Sequence, residues 1–316
     1  MKLDSTAIAD AVRAAYEDHG NDAGGKNASY IPYLASVDPA LFGVCVMTAD
    51  GQLFEAGDTA FEFALESISK VFSMAWAMEQ VGLEAFQEKV GADPTGEPFN
   101  SVISVALHGD TPVSPLVNAG AMSTVSLIPG DSAEDRWEAI LQVQSAFAGR
   151  RISMSDQVNE SEQSTNFHNR AIAWLLYSGG TMYSDPMQAC DVYTRQCSTL
   201  VTARDLAAMG ATIANKGVNP LTGDRVVQQA HVPAMLAEMT MEGMYTASGD
   251  WAYRVGLPGK SGVGGGILAV MPGKLAIAGF APPLDPAGNS VKAQAAVAQV
   301  AGALGLSIYK ASEYSD

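Results

Sequence analysis

Two short stretches carry side chains whose types and spacing could do nucleophilic chemistry. The first is Glu66-Ser67-Ile68-Ser69-Lys70-Val71-Phe72. Ser67 and Lys70 stand three residues apart, so on a helix they share a face and can meet. A serine hydroxyl is a poor nucleophile at neutral pH until a base takes its proton. Lysine can be that base only when its amine is neutral, which burial in an apolar helix and a nearby second cation both favour. Free backbone N–H groups at the helix start could hold a developing oxyanion. The second stretch is Lys260-Ser261-Gly262-Val263-Gly264-Gly265-Gly266. It offers another cation, and glycines that let a substrate approach the backbone closely.

Spacing alone decides little, because Ser307-Ile308-Tyr309-Lys310 has it too, at the tail and with no comparable helix after it. The surroundings of Ser67 are better. Val71, Phe72, Ala75, Met78 and Val81 recur at helical spacing and Gly82 marks a stop. Ser67 is therefore expected on the first turn of a largely buried helix, with Lys70 one turn on.

The elements that must position these residues are legible in outline. Residues 8–18 read as an amphipathic helix and residues 20–25 as a flexible loop. Residues 30–34 are expected to be extended beside Pro32. Apolar runs at 42–47 and 52–56 flank Ala49-Asp50-Gly51, a hairpin signal. From 84 to about 249 strand signals nearly vanish and helical patterns dominate, as at 136–141, 170–176 and 203–209. Runs at 266–271 and 274–280 around Pro272-Gly273 predict a second hairpin, and 291–304 an alanine-rich covering helix. Ser-x-x-Lys thus follows one hairpin and Lys-Ser-Gly precedes the other. Strands at both ends with helices between predict an α/β (α+β) fold. Its mixed or antiparallel sheet would come from about 40–57 and 255–282, flanked by helices, with a helical lobe at about 84–250 and a cleft where they meet. The whole chain, 1–316, reads as a single catalytic unit with its core at about 25–311.

Bulk properties narrow the function. A chain of 316 residues, 47% hydrophobic, can bury one large core or two packed lobes. A formal charge of −16 argues against nucleic acid and anionic membranes as partners. There is no run of 18 apolar residues, and Met1-Lys2-Leu3-Asp4 lacks a secretory apolar core, so a cytoplasmic protein is expected. Cys45, Cys190 and Cys197 are odd in number and scattered, which fits reduced thiols. His19, His108, His168 and His231 match no metal spacing, and neither metal nor cofactor is expected.

Further ordered segments carry a family resemblance. They are Pro98-Phe99-Asn100-Ser101, Val117-Asn118-Ala119-Gly120-Ala121, Ser161-Glu162, Asn169-Arg170-Ala171, Tyr193 with Gln196-Cys197-Ser198, Asp205-Leu206-Ala207-Ala208-Met209-Gly210-Ala211, Gly243-Met244-Tyr245 and Gly288-Asn289-Ser290-Val291. With the two motifs, they make the chain from about 30 to 291 resemble the serine-dependent glutaminases in their short bacterial form. That family's fold is similar to that of β-lactamases and penicillin-binding proteins. The resemblance implies hydrolysis of L-glutamine to L-glutamate and ammonia, without a cofactor, in a homodimer or homotetramer. Ser67 would attack the side-chain amide carbon and form a glutamyl ester that water cleaves. Lys70 would be the base or part of a relay, and Tyr245 a proton carrier at the reacting amide. The N–H groups of Ser67 and Val263 would form the oxyanion hole. Tyr30, Asn118, Glu162, Asn169 and Tyr193 match positions that hold the amino-acid end of the substrate.

Those residue types suit that task independently, since Glu162 can pair with an ammonium while amides and phenols donate to a carboxylate. Lys260 is expected to tune charge near Lys70 rather than touch the amino-acid end. Phe167 and His168, and the stretch 110–116, depart from the family pattern and bear on loop shape. Two other readings stay open. One is a β-lactamase or peptidase-like acyl hydrolase, with Ser164-Thr165-Asn166 as its Ser-x-Asn element. The other is a non-catalytic small-molecule binder of the same fold, against which the intact Ser67, Lys70 and Lys260 argue.

Overall fold

A computed structural model describes residues 4–310. The Met1-Lys2-Leu3 start, read above for an export signal, and the chain from 311 onward lie outside the described residues. The strands are β1 (Gly43–Thr48), β2 (Leu53–Gly57), β3 (Phe63–Ala64), β4 (Ser153–Met154), β5 (Thr199–Val201), β6 (Gly259–Ser261), β7 (Gly266–Met271) and β8 (Leu275–Phe280). Among the described residues they form a five-stranded sheet, ordered β2-β1-β8-β7-β6, and a three-stranded one, ordered β3-β5-β4. Every pairing in the larger sheet is antiparallel. The two expected hairpins are β1–β2 and β7–β8, and they join along β1 and β8, with Val46 opposite Ile277. Their turns use Gly51 (φ 89°) and Gly273 (φ 73°), a backbone region that costs glycine little.

The central strands are buried on both faces, which is why they read as continuous apolar runs. Cys45, Met47, Leu268, Val270, Ala276 and Ala278 enter one core, while Val44, Val46, Ile267, Ala269, Leu275 and Ile277 enter the other. This is the two-residue alternation of a pleated strand. Each larger aliphatic side chain so buried contributes roughly 1.5–3 kcal/mol. The terminal helices Ser5–His19 and Val291–Ala303 cover one face and the helix Ala203–Ala214 covers the other. Gly210 lets that helix lie directly on the sheet: a Cβ there would sit 2.5 Å from Leu268 and 2.6 Å from Ala276.

The helix Ser69–Val81 runs through the lobe against the helices Asn118–Leu127 and Ala133–Ala148. Val71, Phe72, Met74, Ala75 and Met78 are all buried, as befits a helix enclosed on most sides. It stops at Gly82, as expected (φ 82°). Its start differs from expectation. Ser67 lies in a separate 3-10 turn, Glu66–Ile68, and Lys70 occupies the first turn of the α-helix proper. The cause is Glu66, whose φ of 53° is left-handed and cannot continue a right-handed helix backwards.

Two other expectations are corrected. Residues 30–34 are not extended throughout, because Pro32–Ala35 forms one helical turn. Proline presets φ for a first helical position, so the extended geometry is confined to Ile31 just before it (φ −114°, ψ 105°). Strands β4 and β5 also lie inside the interval read as helical. Two or three residues are too few to leave an alternation pattern. The tail copy of Ser-x-x-Lys sits on no helix, and its Lys310 is exposed.

Candidate active site

The two motif segments, far apart in sequence, meet at the Ser67 turn. Strand β6 carries Lys260, and Ser261 N–H donates to Gly243 O at 3.0 Å. The glycine run after β6 crosses the turn closely. A Cβ on Gly262 would lie 2.8 Å from Leu65 O, and one on Gly264 would lie 3.2 Å from Glu66 Cγ. Tyr245 comes from a 3-10 turn, Tyr245–Ala247, and shares with Glu66 a left-handed backbone (φ 57°). Such residues cost of order 1–3 kcal/mol each and collect at functional sites. The Tyr245 hydroxyl donates to Ser261 O at 3.0 Å, and the nearby Ser67 side chain partly offsets the upward push of burial on the phenol. Among the described residues, the backbone N–H groups of Ser67 and Val263 make no hydrogen bond.

Ser67 opens on a cleft of about 380 Å³. Tyr30, Asn118, Glu162, Asn169, Tyr193 and Val263 line it as well, so seven of the expected residues converge there. Asn118 is the first residue of the helix Asn118–Leu127, and its N–H donates to Phe99 O at 2.8 Å. Glu162 projects from Asp156–Gln163, Asn169 from the first turn of Phe167–Ser178, and Tyr193 from Pro186–Cys197. Tyr30 stands at the mouth, 54% exposed. Lys70, Tyr245 and Lys260 do not line the cleft; all three are buried behind it. A neighbouring hollow of about 530 Å³ shares Tyr30 and Phe99 with it.

Sequence reasoning gave no role to Glu66, Phe99 and His168, which also line the cleft, as does Asn166, offered above only in the Ser-x-Asn reading. Phe99 packs tilted against Tyr245, ring centres 4.7 Å apart at 38°, and its ring centre lies 5.9 Å from the Lys70 amine. Asn166 donates to Thr194 Oγ1 at 3.0 Å, so the Ser-x-Asn element reaches the cleft through its asparagine. Glu66 had one available signal, its place beside Ser67. A spacing argument could not have distinguished it from a solvated acid.

The Lys70 amine does not bond Ser67. It donates to Asn118 Oδ1 at 2.7 Å and to Leu116 O at 3.4 Å. Tyr193 OH donates to the same Asn118 oxygen at 3.0 Å, and Asn118 Nδ2 donates to Asn169 Oδ1 at 2.8 Å. Asn118 thus ties the amine to the residues expected at the far end of the substrate. Lys260 donates to Gly243 O at 3.1 Å and Ser261 O at 2.7 Å, with its amine 4.3 Å from the Tyr245 ring centre.

Burial controls the charges. Lys70 is 0% exposed, and removal from water lowers its pKa to about 8, against the pull of surrounding acids that include Glu66, Glu242 and Glu162. Lys260, also 0% exposed, is driven well below the ordinary lysine value by burial and then by the charge on Lys70. Burial thus pushes both amines towards their neutral forms. Burial keeps the Tyr245 phenol protonated, far above its usual range. Glu162 is raised to about 7 by burial, and Glu66 well above the carboxylate range by burial and by Glu162.

A family profile described as glutaminase matches residues 25–309. A glutaminase of Brucella canis is 66% identical over 309 residues, covering 96% of this chain and 97% of the relative. A glutaminase of Mycobacterium ulcerans is 63% identical over 307 residues, covering 97% of this chain and 96% of the relative. A solved structure described as a probable glutaminase, ybaS, superposes with a TM-score of 0.97 at 59% identity, covering 98% of this chain and 100% of the other. With that profile over nine-tenths of its length, and with the antiparallel sheet and helical lobe of the β-lactamase-like fold, this chain belongs to the glutaminase family.

Proposed function

We propose that this chain hydrolyses L-glutamine to L-glutamate and ammonia through an ester on Ser67. The reading rests on one arrangement: the Ser67 hydroxyl, two unpartnered N–H groups and a wall of Glu162, Asn169 and Tyr193 share a single cleft. Neutral Lys70 draws off the Ser67 proton, directly or through Tyr245, as Ser67 Oγ attacks the side-chain carbonyl carbon. The N–H groups of Ser67 and Val263 hold the oxyanion. The C–N bond then breaks, and the Tyr245 phenol hands a proton to the departing nitrogen and is restored by the one taken from Ser67. Water attacks the ester, glutamate leaves, and Ser67 regains its proton. At the other end Glu162 pairs with the α-ammonium, while Asn169 and Tyr30 donate to the α-carboxylate, joined by Tyr193 as its hydroxyl turns from Asn118 Oδ1. Lys260 acts on charge, through Lys70 and Tyr245, without touching substrate.

A substrate screen read by ammonia release tests this. Wild type should release ammonia from glutamine, and Ser67→Ala should release less by about a thousandfold or more. Equal release by both would remove Ser67 from the mechanism. Hydrolysis of a chromogenic cephalosporin at a rate comparable with glutamine would favour a β-lactamase-like reading instead. The same proposal locates the chain in the cytoplasm as a homo-oligomer. Exposed Ile103, Leu107, Phe167, Trp174 and Tyr177 on two packed helices support the second part, which light scattering checks.

A further inference from the structure

Glu66 changes the chemistry of the cleft more than any other residue that the sequence left without a role. Its carboxyl and that of Glu162 are both buried and line the same cleft. Ionising both would set two like charges together out of water, and a hydrogen bond between them requires that one keep a proton. Oε1 of each is buried and has no partner among the described residues. The glycine run passes close to Glu66: a Cβ on Gly262 would sit 3.4 Å from its Cβ, and one on Gly264 3.2 Å from its Cγ. Nor does a salt bridge neutralise the pair, because the hydrogen bonds of Lys70 run to Asn118 and Leu116.

We infer that Glu66 and Glu162 form one proton-sharing acid pair that receives the α-ammonium of the substrate, and that binding expels the shared proton. The inference rests on the assignment of the amino-acid end made above. An ammonium brings three N–H donors and a full positive charge, which the two unpartnered oxygens can accept. It favours the doubly ionised pair, so the proton held between the carboxyls passes to solvent while the ammonium keeps its own three. Lys70 also faces the pair and opposes its protonation. Tyr30, Tyr193, Cys197 and Tyr245 feel its charge, but burial holds these phenols and this thiol protonated and uncharged. His168 lines the same cleft from its exposed side. The upward shift of Glu66, and that of Glu162 to about 7, agree with one retained proton.

Calorimetry on the full-length Ser67→Ala protein tests the inference with L-glutamine as ligand. Two buffers of different ionisation enthalpy report the protons released. A large fraction of one proton should leave at about pH 6, falling towards zero by about pH 9. Adding Glu66→Gln, whose amide donates to Glu162 without a proton to lose, should abolish the release and weaken binding about tenfold at pH 8. Equal apparent enthalpies in the two buffers at pH 6, or undiminished release from the Glu66→Gln variant, would overturn the pair. Should that variant fail to fold, the pH trend still decides, because release that grows with pH would belong to Lys70 and count against the pair. Glu162→Gln separates this from the underlying assignment. If it leaves glutamine affinity unchanged, the amino-acid end itself is wrongly assigned. If affinity is lost but no proton is released by the parent, the shared proton alone is refuted.

Discussion

The two ends of the cleft bury opposite charges and solve the problem differently. Beneath Ser67, the amines of Lys70 and Lys260 are sealed from water, yet each has two oxygen partners from amide or carbonyl groups. In the cleft wall itself, Glu66 and Glu162 are also buried, but an oxygen of each has no partner among the described residues. Burial therefore lowers the lysines and raises the acids, and the cleft near neutral pH carries less charge than its residues suggest. The satisfied end can take a proton without rearranging. The unsatisfied end waits for a cation, at a cost of about 1–3 kcal/mol for each unpaired polar group. In the proposed mechanism the first region serves proton transfer and the second recognition, and Asn118 joins Lys70 by hydrogen bonds to Asn169 and Tyr193 of the cleft wall.

That contrast can be broken most forcefully at Lys70. Lys70→Ala should lower kcat by about 10²–10⁴ while circular dichroism shows the fold intact. A KM effect with kcat preserved would mean that the amine serves recognition instead. Asn118→Ala comes next, with kcat/KM reduced roughly 10–100-fold and both kcat and KM affected, because Lys70 and Asn169 lose one shared partner. A change in KM alone would show the two ends to be independent.

The smallest effect lies in stability against pH, where the two ends should act in separate windows. Glu162 binds its proton more tightly folded than unfolded, so its stabilising contribution is complete below about 4.5 and is lost as pH rises through about 7. Lys70 binds its proton less tightly folded, so stability recovers as pH rises from about 8 towards 10.5. Thermal melts should show each limb as about 1–3 kcal/mol, a few degrees in Tm. Glu162→Gln should flatten the lower limb and Lys70→Met the upper. Limbs that survive both variants would assign the pH dependence to the acidic surface.

Legibility followed length and periodicity. The hairpins around Gly51 and Gly273, the buried helix ending at Gly82 and the covering helix from Val291 were readable because each repeats a pattern over many residues. Strands β3, β4 and β5 were not, and neither was the 3-10 turn at Ser67, which depends on one left-handed residue. Among site residues, those inside ordered motifs, such as Asn118, Glu162 and Tyr193, converged on the cleft as expected. Glu66 escaped assignment although it adjoins the nucleophile, since an acid's role depends on what faces it.

By itself, then, the sequence determined which residue types could carry the chemistry, and that strands from both chain ends would enclose a helical block. Local spacing and hydrophobic periodicity record those facts. Only the tertiary structure decided that Ser67 opens on the cleft while Lys70 turns to Asn118, that burial pushes both lysines towards neutrality, and that Glu66 and Glu162 are buried together with an unpartnered oxygen each. Those outcomes depend on desolvation and on distances between segments remote in sequence, which no local pattern encodes.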